Sequence, residues 1–158
     1  EMVQSKCNEY GITCKCIRCR EAGLLARKGE VPAIEDAELK RIDYRASNGE
    51  EVFLSFEASD VLYGFCRLRK PGTPFIEEID NRTCGIRELH VYGDQVPIGG
   101  SGTVQHHGMG KKLLTEAEKI AMEEFDCKKL LIISGVGAKQ YYEKIGFERI
   151  GTYMGKTL

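Results

Sequence analysis

The spacing of apolar and polar residues predicts a strand-rich first half. Three runs with short apolar–polar alternation fill residues 38–70, and Pro71 ends the third. Asn48-Gly49, which separates the first two runs, is a strong signal for a tight hairpin. Sequential strands joined by short turns predict an antiparallel meander.

A fourth strand and a mixed second half follow. Residues 85–93 alternate with period two, which divides the side chains between two faces. One face carries Glu88, His90 and Tyr92, and the other carries Leu89 and Val91. Residues 109–125 are predicted to form a helix because their apolar side chains recur at steps of three and four. These side chains are Met109, Leu113, Leu114, Ala117, Ile120, Ala121 and Phe125. A buried strand over 128–134, a helix over 137–145 and a last strand over 147–154 complete a mixed α/β sheet.

Composition places the chain among ordinary globular domains. It has 158 residues, of which 42% are hydrophobic and 30% charged, with a formal net charge of -1. The near-neutral charge excludes a chain-wide basic surface for nucleic acid, so RNA contacts would need a local patch. No apolar run approaches the roughly 20 residues of a membrane helix, and the polar start has no signal-peptide pattern. Because the chain does not begin with Met, we expect a fragment of a longer cytoplasmic protein without a membrane partner.

Seven cysteines are many for such a chain, and their spacing indicates metal binding in a reducing compartment. Cys14, Cys16 and Cys19 place three thiolates within reach of one tetrahedral Zn²⁺. The fourth ligand is open between Cys7, Cys84 and a histidine, with a weak preference for Cys84. Reduced thiols without a metal are the alternative. The remaining cysteines are predicted to be packing residues of the core: Cys66 and Cys127.

The start of the long helix is the sharpest chemical feature. Gly108 and Gly110 stand where a ligand would approach the backbone, and free N–H groups at a helix start bind anions such as pyrophosphate. Lys111 and Lys112 lie in the first turn, where a cation costs a few tenths of a kcal/mol to about 1 kcal/mol unless an anion neutralises it. The alternative is a glycine-rich turn with solvated lysines. The preceding histidines, His106-His107, are only a weak metal signal.

These residues match a known family. The pattern Gln105-x-x-Gly108-x-Gly110 resembles the acetyl-CoA pyrophosphate loop of the GNAT acetyltransferase superfamily, and the order of elements is similar as well. Further blocks resemble the acetyltransferase-like domain of the Elongator catalytic-subunit family. They comprise residues 88–93, 105–108, 133–137, 141–142 and the knuckle 14–21.

The resemblance implies a GNAT fold over 37–158, preceded by a helix, zinc knuckle and linker over 1–36. It implies acetyl-CoA as the cofactor and tRNA as the partner. In that family a radical domain with a 4Fe–4S cluster and S-adenosylmethionine precedes this one, and together they place a carboxymethyl-type group on carbon 5 of the wobble uridine. The cluster's C-x-x-x-C-x-x-C signature does not occur in these residues, so this chain would supply the acetyl-CoA half. A protein lysine N-acetyltransferase and a non-catalytic, zinc-stabilised tRNA-docking module are the alternatives.

The resemblance also implies roles for single residues. The backbone of Glu88, Leu89, His90 and Val91 would run beside the pantetheine, with Glu88 or His90 as a general base. The pyrophosphate would be cradled by Gln105, Gly108, Met109, Gly110, Lys111 and Lys112. Tyr142 would reach the CoA sulfur as a proton donor. Tyr141 and Tyr142 are both assigned to the cofactor site, but adjacent residues on a helix cannot both face one spot, so a core aromatic is the alternative interpretation of Tyr141. A solvated carboxylate at Glu88 and a hydrogen-bonded imidazole at His90 are the alternative interpretations.

Two weaker expectations concern charge and a loop. Basic residues that can contact RNA phosphates are Arg18, Arg20, Arg67, Arg69 and Lys70. A solvated charged face is an equally good interpretation of each.

Residues 99–102 read Gly-Gly-Ser-Gly, a composition typical of a flexible linker, whereas the resemblance implies a longer loop. We therefore expect an engineered shortening there.

Overall fold

The computed structural model of the chain describes residues 2–27, 29, 32–74, 76–92 and 108–158. The helices are α1 (Met2–Glu9), α2 (Ile17–Arg20), α3 (Ala22–Ala26), α4 (Met109–Glu123) and α5 (Lys139–Lys144). Short 3₁₀ turns cover Ile34–Asp36 and Val136–Ala138. The strands are β1 (Glu38–Ala46), β2 (Gly49–Ala58), β3 (Val61–Lys70), β4 (Thr83–Val91), β5 (Lys129–Ile132), β6 (Glu148–Ile150) and β7 (Tyr153–Thr157).

The strands form one sheet in the order β1-β2-β3-β4-β5-β7-β6. The first four are antiparallel neighbours, which confirms the predicted meander. β4 and β5 run parallel, and α4 makes the crossover between them. This parallel pair is the point at which the candidate site forms.

The first hairpin turns one residue earlier than its sequence signal suggests. Ala46 pairs with Gly49, so the two turn residues are Ser47 and Asn48, with φ of 47° and 56°. Positive φ at both central residues is the requirement of a type I′ turn. Gly49 is the first residue of β2, where a Cβ would lie 2.7 Å from the carbonyl oxygen of Lys70. Its small size therefore serves the strand packing.

The prediction of a single last strand over 147–154 is wrong. Two strands form instead, and Ile150 pairs with Tyr153 across a tight turn. Gly151 has φ of 58°, a left-handed conformation that a glycine adopts without steric cost. The single glycine within this run does not by itself mark a turn, so the sequence pattern does not divide the two strands.

The main core lies between α4 and the sheet. The predicted apolar face of α4 is confirmed, since all six of its positions within the helix are buried. They are Met109, Leu113, Leu114, Ala117, Ile120 and Ala121. Burying one leucine-sized side chain stabilises a fold by about 1.5–3 kcal/mol, so this face holds the crossover helix firmly on the sheet. Among the described residues, no helix is long and apolar enough to cross a membrane.

The N-terminal segment is attached to the β2–β3 hairpin. Glu21 forms a parallel bridge with Leu62, and Ala22 is buried at 4% exposure in a second apolar cluster. Arg20 donates through Nε to the carbonyl oxygen of Asp60 at 3.0 Å. Gly11, with φ of 65°, follows the end of α1, as its sequence position predicts.

Candidate active site

Strands β4 and β5 separate at the centre of the sheet. They pair only from Thr83–Ile86 to Lys129–Ile132, where β5 ends, whereas β4 continues to Val91. Along this continuation β4 keeps its pairing with β3. Among the described residues, no strand pairs with the other edge of β4 beyond Ile86. We call the resulting space, between residues 87–91 and the segment after β5, the β4–β5 cleft.

The backbone of β4 offers hydrogen-bonding groups to this cleft. The N–H of Tyr92 donates to the carbonyl oxygen of Tyr63 on β3 at 2.7 Å. Main-chain groups of alternate residues point to opposite sides of an antiparallel strand, so those of Leu89 and Val91 point away from β3. These unpaired edge groups are suited to an extended ligand that carries amides.

A bulge sets the faces of β4. Arg67 pairs with Glu88 and the next residue of β3, Leu68, pairs with Ile86, so β4 holds one extra residue at Arg87. Ile86 and Leu89 consequently both pack on the core beside α4. The side chain of Glu88 lies on the opposite face, as the predicted grouping of Glu88 with His90 requires.

On that opposite face, Glu88 and His90 have different surroundings. The Nη1 of Arg67 lies 3.3 Å from the Oε1 of Glu88. The imidazole of His90 is exposed and lies 5.2 Å from the ring of Phe65 and 6.4 Å from the ring of Tyr92. Glu88 is thus a carboxylate held by a cation, whereas His90 belongs to an aromatic stack.

Helix α4 begins beside the end of β4. Its N-cap, Gly108, adopts φ of 68°, and the N–H of Lys112 makes a helical bond to the Gly108 carbonyl at 2.9 Å. The N–H groups of Met109, Gly110 and Lys111 precede that bond, so they have no acceptor within the helix. No acidic side chain lies in the first turn. This end of the helix therefore combines free donors, the positive end of the dipole and two exposed lysines.

Gly110 brings three elements together. A Cβ at this position would lie 3.5 Å from the Cγ2 of Val91 on β4 and 3.9 Å from the hydroxyl of Tyr141 on α5. The start of α4, the end of β4 and α5 therefore enclose one space. A glycine keeps that space open at its narrowest described contact.

The two tyrosines of α5 differ in burial. Tyr142 is the more buried, at 7% exposure, and lies in the core with its ring 5.7 Å from that of Phe147. Burial raises the pKa of Tyr142 to about 12. Tyr141 is half-buried, and its hydroxyl lies 3.9 Å from the position of a Cβ at Gly110. The assignment of both tyrosines to the cofactor site stays a prediction.

Ser134 is a residue that the sequence analysis missed. It follows the end of β5, and its Oγ is buried with no hydrogen-bond partner among the residues that the structure describes. An unpaired buried hydroxyl costs about 1–3 kcal/mol, which a ligand with a polar group would recover. The only sequence signal was its place in the family-like block 133–137, which assigns it no role.

The comparisons with known proteins agree with this geometry. Residues 24–147 match the model of the acetyltransferase (GNAT) family. The chain belongs to the GNAT acetyltransferase family. The predicted fold class, with its mixed central sheet, is thereby confirmed.

Several relatives match the GNAT chain along its whole length. The tRNA uridine(34) acetyltransferase of Methanocaldococcus jannaschii is 50% identical, and the match covers 100% of this chain and 30% of that protein. Elongator complex protein 3 of Homo sapiens is 41% identical with the same two coverages, 100% and 30%. The solved structure of Elp3 from Methanocaldococcus infernus gives a TM-score of 0.89 at 46% identity, over 99% of this chain and 38% of that one. The chain thus spans about a third of the length of these relatives.

The predicted cysteine cluster is present in the extension of this GNAT domain. The Sγ atoms of Cys14, Cys16 and Cys19 all lie within 4.8 Å of one another. A backbone hydrogen bond from Cys19 is the main cause that lowers the pKa of the Cys16 thiol. Three sulfur ligands at this spacing fit a tetrahedral Zn²⁺. The preference for Cys84 as fourth ligand is wrong, because β4 carries Cys84 into the core at 0% exposure.

Most of the basic residues expected to contact RNA are engaged inside the GNAT domain. Arg20 pairs with Glu57, and Arg69 donates to Glu51 at 2.8 Å. Lys70 donates to the carbonyl oxygen of Asn81. Arg67 contacts both Glu51 and Glu88, whereas Arg18 is exposed. The partners of these basic side chains are distant in sequence and close only in the fold. Counting charges along the sequence therefore does not reveal these ion pairs.

Some predictions lie outside the described residues. They concern Gln105 of the pyrophosphate pattern, the histidines at 106 and 107, and the linker-like run 99–102.

Proposed function

We propose that the chain binds acetyl-CoA in the β4–β5 cleft and is the acyl-transferring part of an enzyme that modifies the wobble uridine of tRNA. The observation that carries this proposal is the unpaired edge of β4 beside the glycine-rich start of α4. The names of the whole-length relatives support the tRNA substrate. The chain spans only about 30% of the length of the M. jannaschii relative, so the proposal for this chain is limited to the acyl-transfer half of the reaction.

The start of α4 and the β4–β5 cleft would bind different parts of acetyl-CoA. The pyrophosphate would bind the N–H groups of Met109, Gly110 and Lys111, where Lys111 and Lys112 add positive charge. The pantetheine would extend along β4, with its amides paired to the main chain of Leu89 and Val91. The buried Oγ of Ser134 supplies a further polar group at the end of β5. This arrangement directs the thioester toward the bulge in β4.

The reaction needs a base and a proton donor at opposite sides of the thioester. Glu88 would take a proton from the attacking water or acyl acceptor as it forms a bond to the acetyl carbon. As the carbon–sulfur bond breaks, the phenol of Tyr142 would donate its proton to the leaving thiolate. With a pKa of about 12, Tyr142 stays protonated throughout the physiological range. With water as acceptor, the products are acetate and free CoA.

Two further groups belong to the proposal. Cys14, Cys16 and Cys19 would hold a Zn²⁺ whose role is to close the N-terminal extension. Modification at carbon 5 of the uridine requires radical chemistry, which a 4Fe–4S cluster and S-adenosylmethionine supply in the family that the sequence resembles. This chain lacks that cluster's signature, so its residues would bind and present the acyl group.

The decisive experiment is acetyl-CoA hydrolysis by this chain, measured as released thiol with and without tRNA. We expect calorimetric binding of acetyl-CoA and release that tRNA increases. Acetylation of a lysine peptide with no response to tRNA would instead support a protein acetyltransferase. Absence of binding heat would support a non-catalytic docking module.

A further inference from the structure

Two cysteines meet in the core, far from the knuckle. Cys84, at the start of β4, and Cys127, between α4 and β5, are both fully buried, and their Sγ atoms lie 2.7 Å apart. A disulfide bond measures about 2.05 Å, so these sulfurs need only a small movement to bond. The predicted burial of Cys127 in the core is confirmed, and its contact with Cys84 is a further feature of that site.

A cation polarises the pair. The Nζ of Lys70, at the end of β3, lies 3.3 Å from the Sγ of Cys127. The hydrogen bond with Cys84, and after it the nearby Lys70, lowers the pKa of the Cys127 thiol, while the same hydrogen bond raises the pKa of the Cys84 thiol. The thiolate is the reactive form of cysteine, so Cys127 is the nucleophile of the pair.

A third buried cysteine, Cys66, has a thiol pKa that is shifted in the opposite direction to that of Cys127. Cys66 on β3 is also fully buried, but burial raises its pKa to about 12. Burial alone therefore makes a thiol inert in this core. Among the buried cysteines that the structure describes, the pKa is lowered at Cys127, where Cys84 and Lys70 contact the sulfur.

We propose that Cys84 and Cys127 form a reversible disulfide that ties β4 to the segment entering β5. With a peroxide as oxidant, the Cys127 thiolate takes one oxygen to form a sulfenic acid, and water is released. The sulfur of Cys84 then attacks that sulfur, the S–S bond forms, and a second water leaves. Two thiols lose two hydrogens in total while one peroxide is reduced to two waters.

The position of this bond gives it a structural consequence. Cys84 pairs with Leu130 in the parallel β4–β5 ladder, and Cys127 lies just before β5. The bond therefore closes the base of the pair whose other end opens as the β4–β5 cleft. It also encloses the chain between residues 84 and 127, which restricts the unfolded state. We expect the oxidised chain to be the more stable form.

The test is refolding of the chain from denaturant in a glutathione redox buffer, so that burial does not limit access to the thiols. Free thiols are then alkylated and the peptides mapped by mass spectrometry. We expect a linked peptide pair containing Cys84 and Cys127, and a melting temperature several degrees above that of the reduced chain. Dithiothreitol should reverse the increase. Cys66→Ser should keep the link, and Cys127→Ser should lose both the link and the redox-dependent shift.

Two results would overturn the proposal. One is alkylation of both Cys84 and Cys127 after refolding under oxidising conditions. The other is a link from either of them to a cysteine of the knuckle in place of each other. Cys84→Ser serves as a second variant in case Cys127→Ser does not fold, since either one removes the bond.

Discussion

The guanidinium of Arg67 lies between the carboxylates of Glu88 and Glu51. Its Nη1 is 3.3 Å from the Oε1 of Glu88, and its Nη2 is 3.6 Å from the Oε2 of Glu51. Glu51 is almost fully buried, at 1% exposure, so it anchors the arginine from within the sheet. Arg67 in turn restricts the carboxylate of Glu88 beside the β4–β5 cleft. The orientation of the proposed base is therefore set two strands away, on β2.

Glu88→Gln tests the base. We expect acetyl-CoA hydrolysis in the presence of tRNA to fall about 10²-fold, with little change in the acetyl-CoA dissociation constant, because the amide cannot accept the proton. Released thiol gives the rate, and calorimetry gives the affinity. Glu50→Gln, an exposed carboxylate on β2, is the matched control and should keep the parent rate. Equal rates for Glu88→Gln and the parent would remove Glu88 from the mechanism.

Gly110→Leu tests the helix start as a binding site. A side chain there would extend from the contact with Val91 and Tyr141 into the space proposed for the ligand. We expect acetyl-CoA binding to weaken at least about 100-fold by calorimetry, while the melting temperature changes by only a few degrees. Lys119→Leu, on the exposed face of the same helix, should bind like the parent. Unchanged affinity of Gly110→Leu would place the cofactor elsewhere.

Tyr142→Phe and Tyr141→Phe form a matched pair. The first should lower the hydrolysis rate about 10–100-fold without changing cofactor affinity, since the phenol donates only as the thiolate leaves. The second should stay near the parent rate. The pKa of Tyr142 lies at about 12, so its proton is present below that pH and is lost above it. No alkaline fall in rate from this group is therefore expected up to pH 10, and a larger loss in Tyr141→Phe would reverse the assignment.

The sequence predicts most of the elements because period and turn chemistry are local. The residue pattern indicates the meander over 38–70, the helix from Met109 and the buried strand after it, but not the order of the strands or the parallel pairing of β4 with β5. The bulge at Arg87 is not indicated either, since an extra residue in one strand is defined only by the register with its partner. The same limit hid the hairpin at Gly151.

Some residues of the candidate site are predictable from the sequence, and others are evident only from the structure. The motif identifies Gly108 and Gly110, because glycines at the start of a helix indicate by themselves that a ligand can approach the backbone. Ser134 carries no such mark, and its unpaired hydroxyl is evident only from burial. The pairing of Cys84 with Cys127 likewise depends on tertiary structure, since β4 and the end of α4 are distant in sequence.

Cys16→Ser tests the metal centre. We expect one zinc per chain in the parent by elemental analysis, and loss of most of it in the variant, because a hydroxyl is a poor zinc ligand. The melting temperature should fall in the variant and in the parent treated with a chelator. Cys66→Ser is the control, since Cys66 lies on β3 in the core, outside the cluster of three thiols. Equal zinc content in the parent and Cys16→Ser would contradict the assignment.

Glu51→Gln tests the buried ion cluster that anchors Arg67. Glu51 accepts hydrogen bonds from Tyr44 at 2.7 Å, Arg69 at 2.8 Å and Arg87 at 2.6 Å. Burial alone would raise its pKa, but these donors together lower it from 4.5 to about 2. We expect the variant to lose about 1–3 kcal/mol of unfolding free energy at pH 7, less than a fully buried pair because Arg87 is half exposed.

The lowered pKa of Glu51 also determines how the stability changes with pH. A carboxylate with a lowered native pKa stabilises the fold above its unfolded pKa, and this contribution is lost as the pH falls from about 4.5 toward 2. Urea unfolding across that range should therefore show a shallower loss of stability in Glu51→Gln than in the parent. Glu148→Gln, an exposed carboxylate on β6, should keep the parent slope. An identical slope in Glu51→Gln would mean that Glu51 titrates normally, and Arg67 would then lack the fixed anchor that positions Glu88.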